Sequence, residues 1–174
     1  YLIAHNNRDI QTRLIKRLKD PENFQGAFFE TQVAAWLTKA GFELEFEDES
    51  DRTDTHCEFT ATYKTGERYS VEAKSGQLDP DNTKNQKIGR RLMRALAKSA
   101  RFKRLVFLDL NKPLHSEADA VREFDRAVTV IRRMERQVGS DRPAPAAYVC
   151  LSNTNDQYVA GSPDITMMIQ FLGF

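Results

Sequence analysis

Between Asp81 and Asp109 the sequence contains no acidic residue, and this gap is one of several absences that narrow what the chain can be. Cysteine is nearly absent. Cys57 and Cys150 are the only two, both in apolar, strand-like surroundings, so two small buried thiols are expected and no disulfide framework. No apolar run approaches the roughly 18 residues needed to span a bilayer, and nothing resembles the charged-then-apolar start of a signal peptide. A cytoplasmic chain without membrane contact is the expectation. His5, His56 and His115 are isolated, lack metal-ligand spacing and are expected at surface or capping positions. A Gly-rich phosphate loop, a serine triad and a cysteine nucleophile context are all missing. No repeat, low-complexity tract or linker divides the chain, although residues 139–145, with two prolines, read as a loop.

What is present fits one soluble domain over residues 1–174: 40% hydrophobic and 29% charged residues, in a chain long enough to bury a core. The first residue is Tyr1 rather than Met, so the domain is expected to be part of a longer protein. The net charge of +1 hides a strong segregation. Acids dominate residues 43–58, whereas residues 82–108 carry nine bases and no acid.

Periodicity predicts a leading helix near 8–19, a turn at Asp20-Pro21, and a helix from Phe24 to Ala40 closed by Gly41 as a left-handed cap. Residues 42–47 alternate as a half-buried strand, and strands near 57–63 and 67–74 follow, joined by Lys64-Thr65-Gly66. Next come a helix near 84–100, a strand Leu105 to Leu110, a helix near 117–137 started by Ser116, and a strand Ala147 to Leu151. The order α-β-β-β-α-β-α-β implies an α/β (or α+β) fold with a mixed central sheet flanked by helices. In the last helix, Val121, Phe124, Val128 and Ile131 read as core, and Arg132, Arg133 and Arg136 as a basic surface. Asp109 is expected in the turn that ends its strand.

Within the third strand stands Ser-Val-Glu-Ala-Lys-Ser-Gly, residues 70–76. Side chains alternate along a strand, so Glu72 and Lys74 share a face roughly 7 Å apart, while Val71 and Ala73 take the other. With 12 Glu and 10 Lys in 174 residues, chance alone gives about 0.7 Glu-x-Lys tripeptides, so the motif needs support from its surroundings. A three-residue hairpin loop with Gly66 third would pair Tyr63 with Glu67 and set Glu58 opposite Glu72, on the face of Lys74. A two-residue loop would turn Glu58 away. Two acids facing each other need a positive charge between them, and a divalent cation is the obvious one. Glu30 interrupts the apolar stripe of Gly26, Val33, Ala34 and Leu37, either as a partnered acid or at the stripe's edge, reaching water.

This constellation resembles the PD-(D/E)XK nuclease superfamily, with its restriction-endonuclease-like fold. In that family a helix carries Glu, the first hairpin strand an acid, and the second strand ends in (Asp/Glu)-x-Lys. Glu30, Glu58 and Glu72-Ala73-Lys74 fill those places, over a core of about residues 24–110, with residues 1–23 as a helical extension. No Pro-Asp precedes the hairpin strand, so the family's Asp is either Glu58 or Asp54, which lies about 13 Å further along the strand. The resemblance implies that Glu58 and Glu72, with Glu30 through water, hold Mg²⁺ or Mn²⁺, and that Lys74 acts on the attacking water.

The acid-free helix points to the same substrate class. Lys87, Arg91, Arg94, Lys98 and Arg101 recur at spacings of three and four with Arg90 beside them, opposite the apolar Ile88, Leu92, Ala95 and Leu96. Solvated faces mix both signs of charge, so an all-basic stripe favours a polyanion. The resemblance adds Gln86 and Lys87 as weaker site candidates. A metal-dependent DNA endonuclease of a prokaryotic restriction, defence or repair system is therefore expected, with DNA favoured over RNA and a homodimer or larger complex possible. The alternative is an inactive nuclease-like module for nucleic-acid binding or assembly.

Overall fold

A computed structural model describes residues 8–46, 56–76, 86–112, 114, 116–137, 145–154 and 168–172. Helix α1 (Arg8–Lys19) and helix α2 (Phe24–Lys39) come first. In α2 the three- and four-residue spacing of Phe29, Val33, Ala34 and Leu37 gathers these side chains on one buried face. The chain leaves α2 where Gly41 turns left-handed at φ 88° and returns its N–H to the Thr38 carbonyl at 2.9 Å.

Strands β1 (Phe42–Phe46), β2 (Phe59–Tyr63) and β3 (Arg68–Lys74) pair antiparallel in succession. The β2–β3 loop has three residues, the longer of the two lengths the sequence allowed. Tyr63 donates its N–H to the Glu67 carbonyl at 2.8 Å, and Gly66 sits at φ 91°. That loop fixes the register Phe59↔Val71, Thr60↔Ser70 and Ala61↔Tyr69. Alternation then sends Phe59, Ala61, Val71 and Ala73 under α2, where they pack with Phe29, Val33 and Leu44, and turns Glu72 to the opposite face.

Helix α3 (Gln86–Leu96) leads to β4 (Lys103–Asp109), and α4 (Glu117–Gln137) leads to β5 (Ala147–Ser152); β3, β4 and β5 run parallel. Ser116 starts α4 as expected, its Oγ accepting the Asp119 N–H at 3.1 Å. Ile88, Leu92, Leu96, Phe124 and Ile131 cover Val106, Leu108, Val149 and Leu151, so α3 and α4 share the face opposite α2. The result is a mixed α/β fold around a six-stranded sheet whose strand order is the chain order, β1 to β6.

Three expectations need correction. Helix α3 ends at Leu96, short of residue 100, which takes Lys98 and Arg101 off the helix. A sixth strand, β6 (Met168–Leu172), pairs antiparallel with β5; five residues near the end of the sequence gave too short a pattern to read. Val121, expected in the core, is exposed, while Phe124 and Ile131 of the same helix are buried; His56, partly exposed, forms a parallel bridge to Ser99. His5, His115 and Asp54 lie outside the described residues. Cys57 and Cys150 are free and buried, and among the described residues no helix is long and apolar enough to cross a membrane.

Candidate active site

Glu72 is 1% exposed in the middle of β3, beside Val106 of β4, and its carboxylate therefore stands at the margin of the α3–α4 core. Lys74 follows two residues later on the same face. The β2–β3 ladder stops at Phe59↔Val71, and Glu58, the next residue, gives its N–H to the Val71 carbonyl at 3.0 Å. Glu58 is thus not laddered against Glu72. Two ammonium groups gather the pair instead. Lys74 Nζ donates to Glu58 Oε1 at 3.2 Å and contacts Glu72 Oε1, while Lys98 Nζ reaches Glu58 Oε1 at 3.1 Å and Glu72 Oε1 at 2.9 Å.

Lys98 was expected on the outward basic stripe. It turns inward because helical spacing no longer applies beyond Leu96, and the turn that carries it is pinned from several sides. Its N–H returns to the Ala95 carbonyl at 3.3 Å, and Arg104 Nη2 donates to its carbonyl at 3.3 Å. Next to it, the Ser99 carbonyl accepts the Cys57 thiol at 3.4 Å, and Ser99 bridges to His56.

Burial disfavours charge on both acids, and their neighbours separate them. Burial pushes Glu58 up, but the ammoniums of Lys74 and Lys98 outweigh it and hold the carboxyl below its ordinary range. For Glu72, burial and then the charge of Glu58 outweigh the same two ammoniums, so its carboxyl is raised. Glu72 is the harder of the two to ionise. Burial works against the Lys98 ammonium, yet Glu58 and Glu72 together raise its pKa, so Lys98 is a fixed cation.

Glu30 lies within electrostatic reach of Glu58 and Lys74 and has a partner of its own. Arg17 of α1 donates from Nη1 to Glu30 Oε2 at 2.7 Å and from Nη2 to Glu30 Oε1 at 2.6 Å. Burial, then the Glu58 charge, push Glu30 up to about 7 despite this clamp. A buried carboxylate implies a cation nearby, so Glu30 itself was the signal for Arg17; the last turn of α1 offers Lys16, Arg17 and Lys19, and sequence alone could not choose among them.

The basic stripe divides. Arg90, Arg94 and Arg101 are exposed, whereas Arg91 is partly buried and donates from Nη1 to the Asp109 carbonyl at 2.5 Å. Arg91 stands three residues from Ile88 and four from Ala95, which puts it on the border of the buried face. Gln86 and Lys87 occupy the start of α3. Asp109 is likewise more than a turn residue. It is 0% exposed, accepts Ser75 Oγ at 3.0 Å and the Thr154 N–H at 2.7 Å, and burial raises its carboxyl despite these bonds.

Among the described residues, no group of three or more His, Cys, Asp or Glu is arranged to hold a metal ion, so Glu30 does not join Glu58 and Glu72 as a third close donor. The two carboxylates still fit a hard dication, since Mg²⁺ is commonly held by one or two carboxylates with water completing the shell. Glu72 Oε2, buried and without a hydrogen-bond partner, is a donor atom left over. Comparison of the chain with protein-family models, with curated proteins and with solved structures finds no match in any of the three.

Proposed function

We propose that this chain is a metal-dependent nuclease of the PD-(D/E)XK type, with a restriction-endonuclease-like core, that hydrolyses phosphodiester bonds in nucleic acid, DNA in preference to RNA. The observation that carries the proposal is the meeting of Glu58, Glu72 and Lys74 in one partly buried cluster at the end of the β2–β3 hairpin. An acid-free, basic segment, residues 82–108, follows the hairpin in the sequence.

Glu58 and Glu72 are the residues that would hold Mg²⁺ or Mn²⁺. When bound, such an ion lowers the pKa of a water and neutralises charge on the phosphate. Lys74, held against both acids, orients the attacking water by hydrogen bonding and stabilises the charge that builds on the phosphate oxygens. Glu30 and Arg17 wall the cluster on the α1–α2 side. Arg90, Arg94 and Arg101 supply sequence-independent attraction for the backbone.

The complete neutralisation of two carboxylates by two lysines favours the second reading, a nuclease-like module that binds without cutting. Incubation with plasmid DNA and with RNA, in Mg²⁺, Mn²⁺ or EDTA, separates the two. Cleavage that needs the dication supports the nuclease; binding without cleavage under every condition supports the module and overturns it.

A further inference from the structure

We infer that Lys98 is a second functional lysine of this cluster: it serves as the counter-ion of Glu58 and Glu72 while no dication is bound, and contacts a backbone phosphate of the nucleic acid once one is. The inference rests on the nuclease reading above and assigns Lys98 a role that reading does not need.

The two lysines are not equivalent. Lys74 is part of β3, so its Cα is fixed by the sheet that also fixes Glu72. Lys98 approaches from the turn after α3, on a stem whose side chain is 24% exposed and therefore has a path to solvent. Its Nζ lies 3.1 Å from Glu58 Oε1 and 2.9 Å from Glu72 Oε1, so it pairs with the same two carboxylates that would hold a dication. Ammonium and dication compete for the charge of these two carboxylates, and removal of one ammonium strengthens the hold of the remaining negative charge on a cation. The partly exposed stem gives the freed ammonium a route to solvent, and Arg90, Arg94 and Arg101 of the same segment are exposed. A phosphate drawn to those arginines meets Lys98 at the edge of the carboxylate pair. The backbone of the turn does not have to move, since Arg104 and Ala95 hold it at both sides of the side chain.

Two measurements with Lys98→Met, which keeps the stem and removes the charge, test both halves without relying on turnover. The first is the affinity for Mg²⁺ alone, from thermal melts over a magnesium titration. Lys98→Met should bind about tenfold tighter, as expected for losing a competing charge at this distance. The second is the salt dependence of binding to a nuclease-resistant phosphorothioate duplex. With Mg²⁺ the variant's slope of log affinity against log salt should be smaller by about 0.9, equivalent to a single phosphate, and without Mg²⁺ it should equal that of the unsubstituted protein. A lysine with a purely structural role would move neither quantity in this pattern. If Lys98→Met does not fold, Lys98→Gln is measured in its place. Magnesium affinity that is unchanged or weaker in the folded variant overturns the counter-ion role, and an unchanged slope with Mg²⁺ overturns the phosphate-binding role. Absence of any Mg²⁺ binding in the unsubstituted protein and in the variant overturns the nuclease reading itself, and the inference with it.

Discussion

Arg17 and Glu30 meet through two parallel hydrogen bonds of 2.7 and 2.6 Å that tie α1 to α2 across the flank of the carboxylate cluster. Even so, Glu30 is held at about 7, above its ordinary 4.5, chiefly by burial. The fold therefore favours its neutral form. That contribution to stability is fully present below pH 4.5 and is lost as pH rises through about 7. Glu30→Gln should lose less stability than the unsubstituted protein over that window, by roughly 1 to 3 kcal/mol. Urea unfolding at several pH values measures the difference; parallel curves for the two proteins would show that Glu30 titrates normally.

Glu58 should govern both the metal effect and the metal-free stability. Mg²⁺ or Mn²⁺ is expected to raise the melting temperature, and Glu58→Gln to remove that rise. Without metal the same change should cost about 1–2 kcal/mol, because it leaves Lys74 and Lys98 sharing the single charge of Glu72. Asp54→Asn should keep the metal effect. The opposite outcome, loss with Asp54→Asn and retention with Glu58→Gln, would assign the first-strand acid to Asp54.

Under the proposed mechanism Lys74→Ala should lower the cleavage rate by about 10²–10⁴-fold, and because the Lys74 side chain is partly exposed the fold should stay intact. Matched circular dichroism and cleavage assays decide this. Full activity in a folded variant would remove Lys74 from the mechanism.

The exposed and buried arginines should separate cleanly. Replacing Arg90, Arg94 and Arg101 with Gln should weaken nucleic-acid binding for all sequences and lower the salt slope by about 0.9 for each phosphate that an arginine had neutralised. Arg91→Gln should instead reduce stability, by about 1–3 kcal/mol, through loss of its bond to the Asp109 carbonyl. Salt-dependent binding and denaturant melts of the two variants test the division, and a binding defect without a stability defect in Arg91→Gln would contradict it.

Much of this was legible because it depends on short-range rules. Gly41 and Gly66 mark their left-handed turns by residue type, the spacing of Phe29, Val33 and Leu37 marks a buried face, and a three-residue loop implies the β2–β3 register. Glu58, Glu72 and Lys74 could be brought together because all three belong to that hairpin. Lys98 and Arg17 could not, since their approach depends on where a helix ends and how another docks, and neither event has a local pattern. Arg91 and Asp109 were misjudged for a related reason. Charge suggests solvent, but each of these groups finds its partners far along the chain, Arg91 at the end of β4 and Asp109 just past the ends of β3 and β5. A tally of buried charge would have helped: two acids on one face, with a single lysine beside them, call for a second cation.

Because the sheet keeps its strands in chain order, no strand has to enter between two that are already paired. The hairpin of β2 and β3 closes through three residues, whereas the step to β4 must first close a much longer loop over α3. Glu58 and Lys98 stand 40 positions apart across that step. The hairpin by itself sets two acids against one lysine, and the turn after α3 brings the second cation. If that contact forms in the transition state, Lys98→Met should slow refolding more than it speeds unfolding, which stopped-flow measurement of both limbs would reveal.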